Sequence, residues 1–456
     1  MSSMPVELLY LFVLLITIIV VFVFYKRPIY EGMFIGFVLM VLILGKEDKF
    51  FEYLIKPSTN TLFYAILAFL SLAFIFSKTS AINYVLDFII AIVGRFRGGA
   101  GWVSLIASTF LASMSGSGPG NVAASGVFTI PTMIRTGFPR EAAATIEMAA
   151  SSLGPMIPPS GTILLAFGVL DSLFPGKYQL SAFWMAAWGI GIWFIIQRSL
   201  TLYGFIRTYD VQPMYEEEIP SIKDTVRKGW KALVIPIMII LPMLLDFLFS
   251  DNFFTARLGE DGAKALSSCV ILFTPGISAI YTLIISRDEI EGGLSFSTLF
   301  KMFKEGVSAV VPVAATVYFA YCLSEVFNDV NMGATLGEYI SSFNMSRLQL
   351  AIFFPLFTCF LGMFIPGSSQ VAIFGVAIVS GFVAVGVNPL LAAAILPAIT
   401  GAVEGMTPPL ALSMYTAMGI AQSGMKETSR AALLWVFFHL ITSILILVGV
   451  LPVLFV

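Results

Sequence analysis

Two proline pairs, Pro158-Pro159 and Pro408-Pro409, are the only Pro-Pro steps in the chain, and each interrupts an apolar segment that otherwise reads as a membrane helix. Proline removes a backbone donor and clashes with the preceding turn. Backbone groups freed in this way find no partner in lipid, so such a break must be buried in protein or line a wet cavity. The flanking sequences are Ser151-Ser152-Leu153-Gly154-Pro155-Met156-Ile157 with Ser160 beyond, and Thr400-Gly401-Ala402-Val403-Glu404-Gly405-Met406-Thr407. Two matching breaks point to one central site between two repeats.

The rest of the chain agrees with a membrane setting. With 58% hydrophobic and 11% charged residues, it lacks the charge that a soluble surface of this size requires. The formal charge of −2 and the lack of a basic block argue against nucleic acid as a partner. Cys269, Cys322 and Cys359 lie singly in apolar stretches and read as buried structural thiols. With one histidine, His439, no thiolate or imidazole metal site is expected.

Spans are expected at 8–25, 30–45, 60–77, 141–170, 180–197, 231–249, 264–286, 303–326, 390–421 and 431–456, ten crossings in all. The first reads as a retained span and not a signal peptide. Segments 101–134 and 348–383 are apolar but split by Gly, Ser and Pro, with halves too short to cross, and read as re-entrant hairpins. Before each hairpin lies an arm suited to the interface, 81–97 and 331–348. Placing the N-terminus outside puts eighteen of the 25 Lys and Arg on the cytoplasmic side, among them Lys78, Arg97, Arg135, Arg198 and Arg207. Residues 206–230, with Glu216-Glu217-Glu218, read as a solvated cytoplasmic linker between a first repeat (1–205) and a second (231–456).

The repeats align on residues that fix backbone conformation. Gly118 meets Gly367, Gly126 meets Gly375 and Gly137 meets Gly386; one extra residue later, Pro139 meets Pro389, Met156 meets Met406, and the Pro-Pro pairs coincide. An odd number of crossings precedes the second half, so the halves are expected to be inverted. The fold class is an all-α polytopic membrane protein of two inverted repeats, each with a hairpin and a broken helix, as in secondary transporters.

The first hairpin tip, Ser113 to Asn121, offers the hydroxyls of Ser115 and Ser117, the Asn121 amide and glycine-exposed carbonyls, neutral oxygens suited to a hard monovalent ion. The second, Pro366-Gly367-Ser368-Ser369-Gln370, repeats this in shorter form. Facing them are Ser151, Ser152 and Ser160 in the first break, and Thr407 with the carbonyls of Glu404 to Met406 in the second. One cation per tip-and-break pair is expected, with substrate between, touching Ser115, Ser117, Asn121, Ser152, Ser160, Ser368 and Thr407. Intramembrane acids are functional suspects: Glu147 lies four residues before the first break, and Glu404, inside the second, is the candidate coupling carboxylate. Asp171, Asp246 and Glu325 fall near expected span ends, where solvation suffices. No GxxxxGK[ST] is present, so ATP hydrolysis by that route is excluded. A hydrolase would need a nucleophile with a base, and the lone His439 sits in a plain apolar run, so no catalytic residues and no enzyme are expected.

Arg97-Gly98-Gly99-Ala100, the tip Ser115-Gly116-Ser117-Gly118, the run Ala149 to Ser160 and Thr407-Pro408-Pro409 resemble, in this order, the large membrane subunit of TRAP transporters, the tripartite ATP-independent periplasmic family. The resemblance runs from about Pro28 to the C-terminus. It implies a sodium-coupled importer of organic anions such as dicarboxylates or sugar acids, moving substrate by an elevator-type shift in a bacterial or archaeal cytoplasmic membrane. The implied partners are a periplasmic substrate-binding protein and a separate small four-helix membrane subunit; no cofactor is implied beyond Na+ as coupling ion. Carried over by motif, one sodium site would use Ser115, Ser117, Asn121 and Gly154, and another Gly367, Ser368, Met406 and Thr407. The chain departs from common members at Gly367-Ser368-Ser369 and at Glu404-Gly405, which leaves room for a proton. The competing reading is a stand-alone sodium- or proton-coupled organic anion carrier without a binding protein. A channel or scaffold explains the paired breaks poorly.

Overall fold

The computed structural model of the chain describes residues 6–115, 118–290, 292–332, 335, 338–339 and 342–456. Among the described residues all regular structure is helical. The first half runs α1 (Val6–Ile19), α2 (Ile29–Ile43), α3 (Phe50–Ile55), α4 (Thr61–Ser77), α5 (Ala81–Val93), α6 (Gly99–Ser115), α7 (Gly118–Arg135), α8 (Arg140–Ser151), α9 (Gly161–Leu173) and α10 (Leu180–Thr208). The second runs α11 (Ile222–Phe249), α12 (Thr255–Ile285), α13 (Phe296–Asp329), α14 (Arg347–Leu361), α15 (Gly367–Ala384), α16 (Pro389–Ala394), α17 (Leu396–Ile399), α18 (Gly401–Glu404), α19 (Leu412–Ala421) and α20 (Met425–Val448).

Among the described residues, seven helices are long and apolar enough to cross a membrane, or eight if Glu47–Thr59 and Thr61–Ser77, bent by 54°, form one span. This is fewer than the ten expected. The run at 8–25 is helical from Val6 to Phe24, an α-helix followed by a π-helical turn, and those at 30–45 and 390–421 are delivered as shorter apolar helices, Ile29–Ile43, Pro389–Glu404 and Leu412–Ala421. The Pro-Pro break cuts the last of these runs in two, and Pro28 caps the start of α2. Conversely α15, expected as a short hairpin arm, has 18 residues and by length and composition suffices to cross. Six residues of the second expected arm, 331–348, fall outside the described residues.

Helix α8 lies at the centre. Ala142 through Ser151 are all buried, and the alanines let α6, α7, α19 and α20 close around it. In the second half, α16 and α17 are buried in the same way. The outer faces of α11 and α12 expose Ile237, Leu241, Phe273, Ile277 and Ile280, a surface suited to lipid.

Three expectations change. The expected solvated linker keeps Glu216 and Glu217 exposed but is also anchored: Val211 and Met214 are buried, the Gln212 N–H donates to the Thr136 carbonyl, and Arg135 pairs with Glu218. Asp246 is buried in α11, where its carboxylate accepts a hydrogen bond from Ser267 at 2.6 Å, because α12 covers that face. Cys269 is exposed on α12, whereas Cys322 is buried.

Candidate functional site

Both Pro-Pro peptides are cis, at Pro158-Pro159 and at Pro408-Pro409. In the first break α8 gives way to a 3-10 turn at Gly154–Met156, and Ser160 starts α9 by accepting the Thr162 N–H at 3.2 Å. This is an ordinary serine N-cap. Its hydroxyl is fully buried there, so the structure places Ser160 as a helix cap.

The first tip meets the first break through Asn121. Its amide Nδ2 donates to Ser151 Oγ at 2.7 Å and to the Ser108 carbonyl at 3.2 Å. Glycine sets the approach: a Cβ on Gly154 would lie 2.5 Å from the Ala112 carbonyl oxygen. Ser117 lies outside the described residues, as does the side chain of Ser115. A cavity of about 70 Å³ between α4, α6 and α7 is lined by Ser77, Gly120 and Asn121.

The second tip meets the second break more tightly. A Cβ on Gly367 would collide with the Gly401 Cα, and the Gly367 N–H donates to the Glu404 carboxylate. Glu404 therefore sits at the N-terminus of α15, where negative charge is favoured. The Thr407 hydroxyl donates to the Val403 carbonyl at 3.0 Å, and Met406 is buried. Ser368 and Thr407 remain partly exposed. Gln370, the counterpart of Asn121, donates to the Ile365 carbonyl at 3.2 Å, while its carbonyl oxygen is buried without a partner.

The halves touch at their breaks. A Cβ on Gly401 would lie 3.1 Å from Pro155 Cβ, and Cβ atoms on Gly118 and Gly405 would each lie 2.6 Å from the Ser413 hydroxyl of α19. The described parts of tips and breaks thus form one contiguous block. His439 supports it from α20, bonding the Ala398 carbonyl at 2.8 Å and stacking on Phe194.

Two polar features complete the site. The Glu147 carboxylate is fully buried and accepts from Ser104 and Ser108 of α6 at 2.6 and 2.7 Å and from Ser125 and Thr129 of α7 at 2.6 Å each, with Ser151 Oγ at 3.4 Å. The signal for this was available: hydroxyls at i and i+4 on two successive apolar helices mark one polar face. Arg198, expected at the cytoplasmic surface, is instead fully buried in α10 and donates to Ser152 Oγ at 3.1 Å, to the Ala149 carbonyl at 3.4 Å and to Gln197. Neither tip nor break carries Lys or Arg, so positive charge reaches the first break from a distant helix.

On the other side of the first break, Pro158 and Pro159 line an apolar cavity of about 300 Å³ with Trp102, Trp188, Pro236 and Ile239. It lies between hairpin arm α6, α10 and the outer helix α11.

The family model for the DctM component of tripartite ATP-independent periplasmic transporters matches residues 8–454. The chain belongs to that family. Relatives of this DctM-family chain include the C4-dicarboxylate TRAP transporter large permease protein DctM of Vibrio cholerae, 24% identical over 82% of this chain and 81% of the relative. The protein of that name from Pseudomonas aeruginosa is 22% identical over 89% of each. The sialic acid TRAP transporter large permease protein SiaM of Vibrio cholerae is 23% identical over 76% of this chain and 75% of its own length. Among solved structures, the YdaH transporter of Alcanivorax borkumensis superposes with a TM-score of 0.63 at 16% identity, covering 90% of both chains. MtrF of Neisseria gonorrhoeae gives 0.63 at 15%, covering 90% of this chain and 85% of its own. These neighbours place the DctM-family chain in a fold of multi-pass membrane transporters.

Proposed function

We propose that this permease imports small organic anions by sodium-coupled elevator transport across a bacterial cytoplasmic membrane, together with a small membrane subunit and a periplasmic binding protein that delivers substrate. The observation that carries this reading is the meeting of both tips with both breaks: Asn121 bonds Ser151, and Gly367, Gly401 and Pro155 pack in series. Pro-Pro breaks in corresponding places of the two halves support an inverted repeat with its site at the repeat interface.

The first cation is held at Asn121, Gly154, Ser115 and Ser117, the second at Gly367, Ser368, Met406 and Thr407. Substrate lies against these groups, with Ser152 carrying the influence of Arg198 toward a bound carboxylate. Glu404 is the candidate coupling carboxylate of the second half. Relatives named for C4-dicarboxylates and sialic acid support a carboxylate substrate.

The test is uptake into proteoliposomes holding the assembled complex with its binding protein. Uptake should collapse when choline replaces sodium. Uptake that continues unchanged in choline removes sodium coupling, and uptake that needs no binding protein favours the stand-alone carrier.

A further inference from the structure

We propose that Glu147 is the charged ligand of the first half's monovalent-cation site, with the hydroxyls of Ser108, Ser125 and Ser151 as neutral ligands beside those named above. The inference rests on the sodium-coupled reading above and gives its first ion a counter-charge.

A carboxylate withdrawn from water at membrane depth is costly, and such groups are paired or functional. Among the described residues, no Lys, Arg or His side chain bonds Glu147; its partners are the five hydroxyls of Ser104, Ser108, Ser125, Thr129 and Ser151. Arg198 is engaged by Ser152, Gln197 and the Ala149 carbonyl, and His439 by the Ala398 carbonyl. Helix α19, packed on α7 and α8, brings Ile420 against Gly126.

The fold does not need this polar cage. By the correspondence of the two halves, Ser125, Thr129 and Glu147 become Phe374, Ile378 and Pro397. Matching the buried Leu111 of α6 with Leu361 of α14 turns Ser104 into Phe354 and Ser108 into Thr358. In the second half Phe374 packs edge-on against Phe357, and Phe354 against Phe382. Apart from the Thr358 hydroxyl, which donates to the Ile399 carbonyl at 2.6 Å, apolar packing thus fills in one repeat what a buried charge and its donors fill in the other, and apolar replacement of a buried ion is often neutral or stabilising. A charge kept where packing would serve points to a task beyond stability.

The cage also adjoins the site. Ser151 contacts both Glu147 and Asn121, and Asn121 lines the 70 Å³ cavity. Ser151 to the carboxylate is the longest of the five contacts, so an ion enters on that side. The hydroxyls then rotate to present lone pairs where they had presented protons. Cation and hydroxyl protons compete for the same carboxylate oxygens.

That competition gives two variants opposite signs. The test is thermal stabilisation of the purified full-length chain titrated with NaCl against choline chloride, with sodium-dependent uptake by the complex beside it. Glu147→Gln should raise the half-saturating sodium concentration about tenfold or more, as loss of a ligand does. The pair Ser104→Ala and Thr129→Val removes donors to Oε2 and should lower it about threefold, because the bare carboxylate is less satisfied. A structural cage would lower the melting temperature in both variants and leave half-saturation where it was, which overturns the proposal. If Glu147→Gln does not fold, the double variant decides by the direction of its shift. A wild type indifferent to sodium overturns the coupling reading as well, whereas a sodium-responsive wild type with unshifted variants overturns the Glu147 assignment alone.

Discussion

Arg198 donates to Ser152 Oγ at 3.1 Å from a helix that begins 28 residues after the serine, and both residues are buried. The adjacent serines of the first break are divided: Ser151 faces a carboxylate and an amide, Ser152 a guanidinium. Replacing Arg198 with Met keeps the length and removes the charge, so the chain should fold, since apolar replacements of buried ions are tolerated when packing is kept. Uptake of a carboxylate at low concentration should nevertheless fall about tenfold, because a buried charged hydrogen bond is worth about 1.5–3 kcal/mol. Arg198→Lys should not rescue, as one ammonium cannot reproduce a planar fork reaching Ser152, Ala149 and Gln197 together. Uptake kinetics and melting curves of both variants check this.

Gly154→Ala and Gly367→Ala should each disable transport, since the added Cβ meets backbone at Ala112 and at Gly401. Gly204→Ala is the control. Nothing lies within 4 Å of its would-be Cβ, so that variant should gain about 0.5–1 kcal/mol of helix stability and transport normally. Melting temperatures of the three, measured with uptake, separate close packing from helix propensity.

Glu404 offers a graded test. Glu404→Gln keeps an acceptor for the Gly367 N–H, whereas Glu404→Leu leaves that donor unpaired and should cost about 1–3 kcal/mol. The Gln variant should therefore melt close to wild type. If Glu404 couples transport, uptake in the Gln variant still loses accumulation against a gradient; full accumulation by a stable Gln variant would leave the residue as a cap of α15.

Asn121→Ala leaves the Ser108 carbonyl and Ser151 hydroxyl without their donor, and with Ser117→Ala should abolish sodium-dependent uptake. Retained sodium-dependent uptake in the double variant would remove the first tip from the site.

The breaks and tips are legible in the sequence because glycine and proline dictate backbone: Gly154 and Gly367 stand where chains approach too closely for a Cβ, Gly401 where one would crowd Pro155, and both Pro-Pro pairs mark breaks. Arg198 is not legible. Charge counting reads any arginine near a span end as cytoplasmic, and only the packing of α10 on the end of α8 reveals its burial. Span number is overestimated for a related reason: hydropathy cannot distinguish a run facing lipid from one such as α16 and α17, apolar because protein surrounds it. The cap role of Ser160 is not legible either, because a serine after a break and before a helix reads equally as a ligand and as a cap.

The contact of Gly367 with Gly401, and of Gly154 with Ala112, joins main chain to main chain. Such joints have no rotamers to relax, so drift in their sequence finds few acceptable neighbours. On the proposed function, a change of cargo preference is therefore expected in side chains that lean on the block from surrounding helices, as Arg198 does. Engineering a new preference should begin at that periphery and leave the glycines alone.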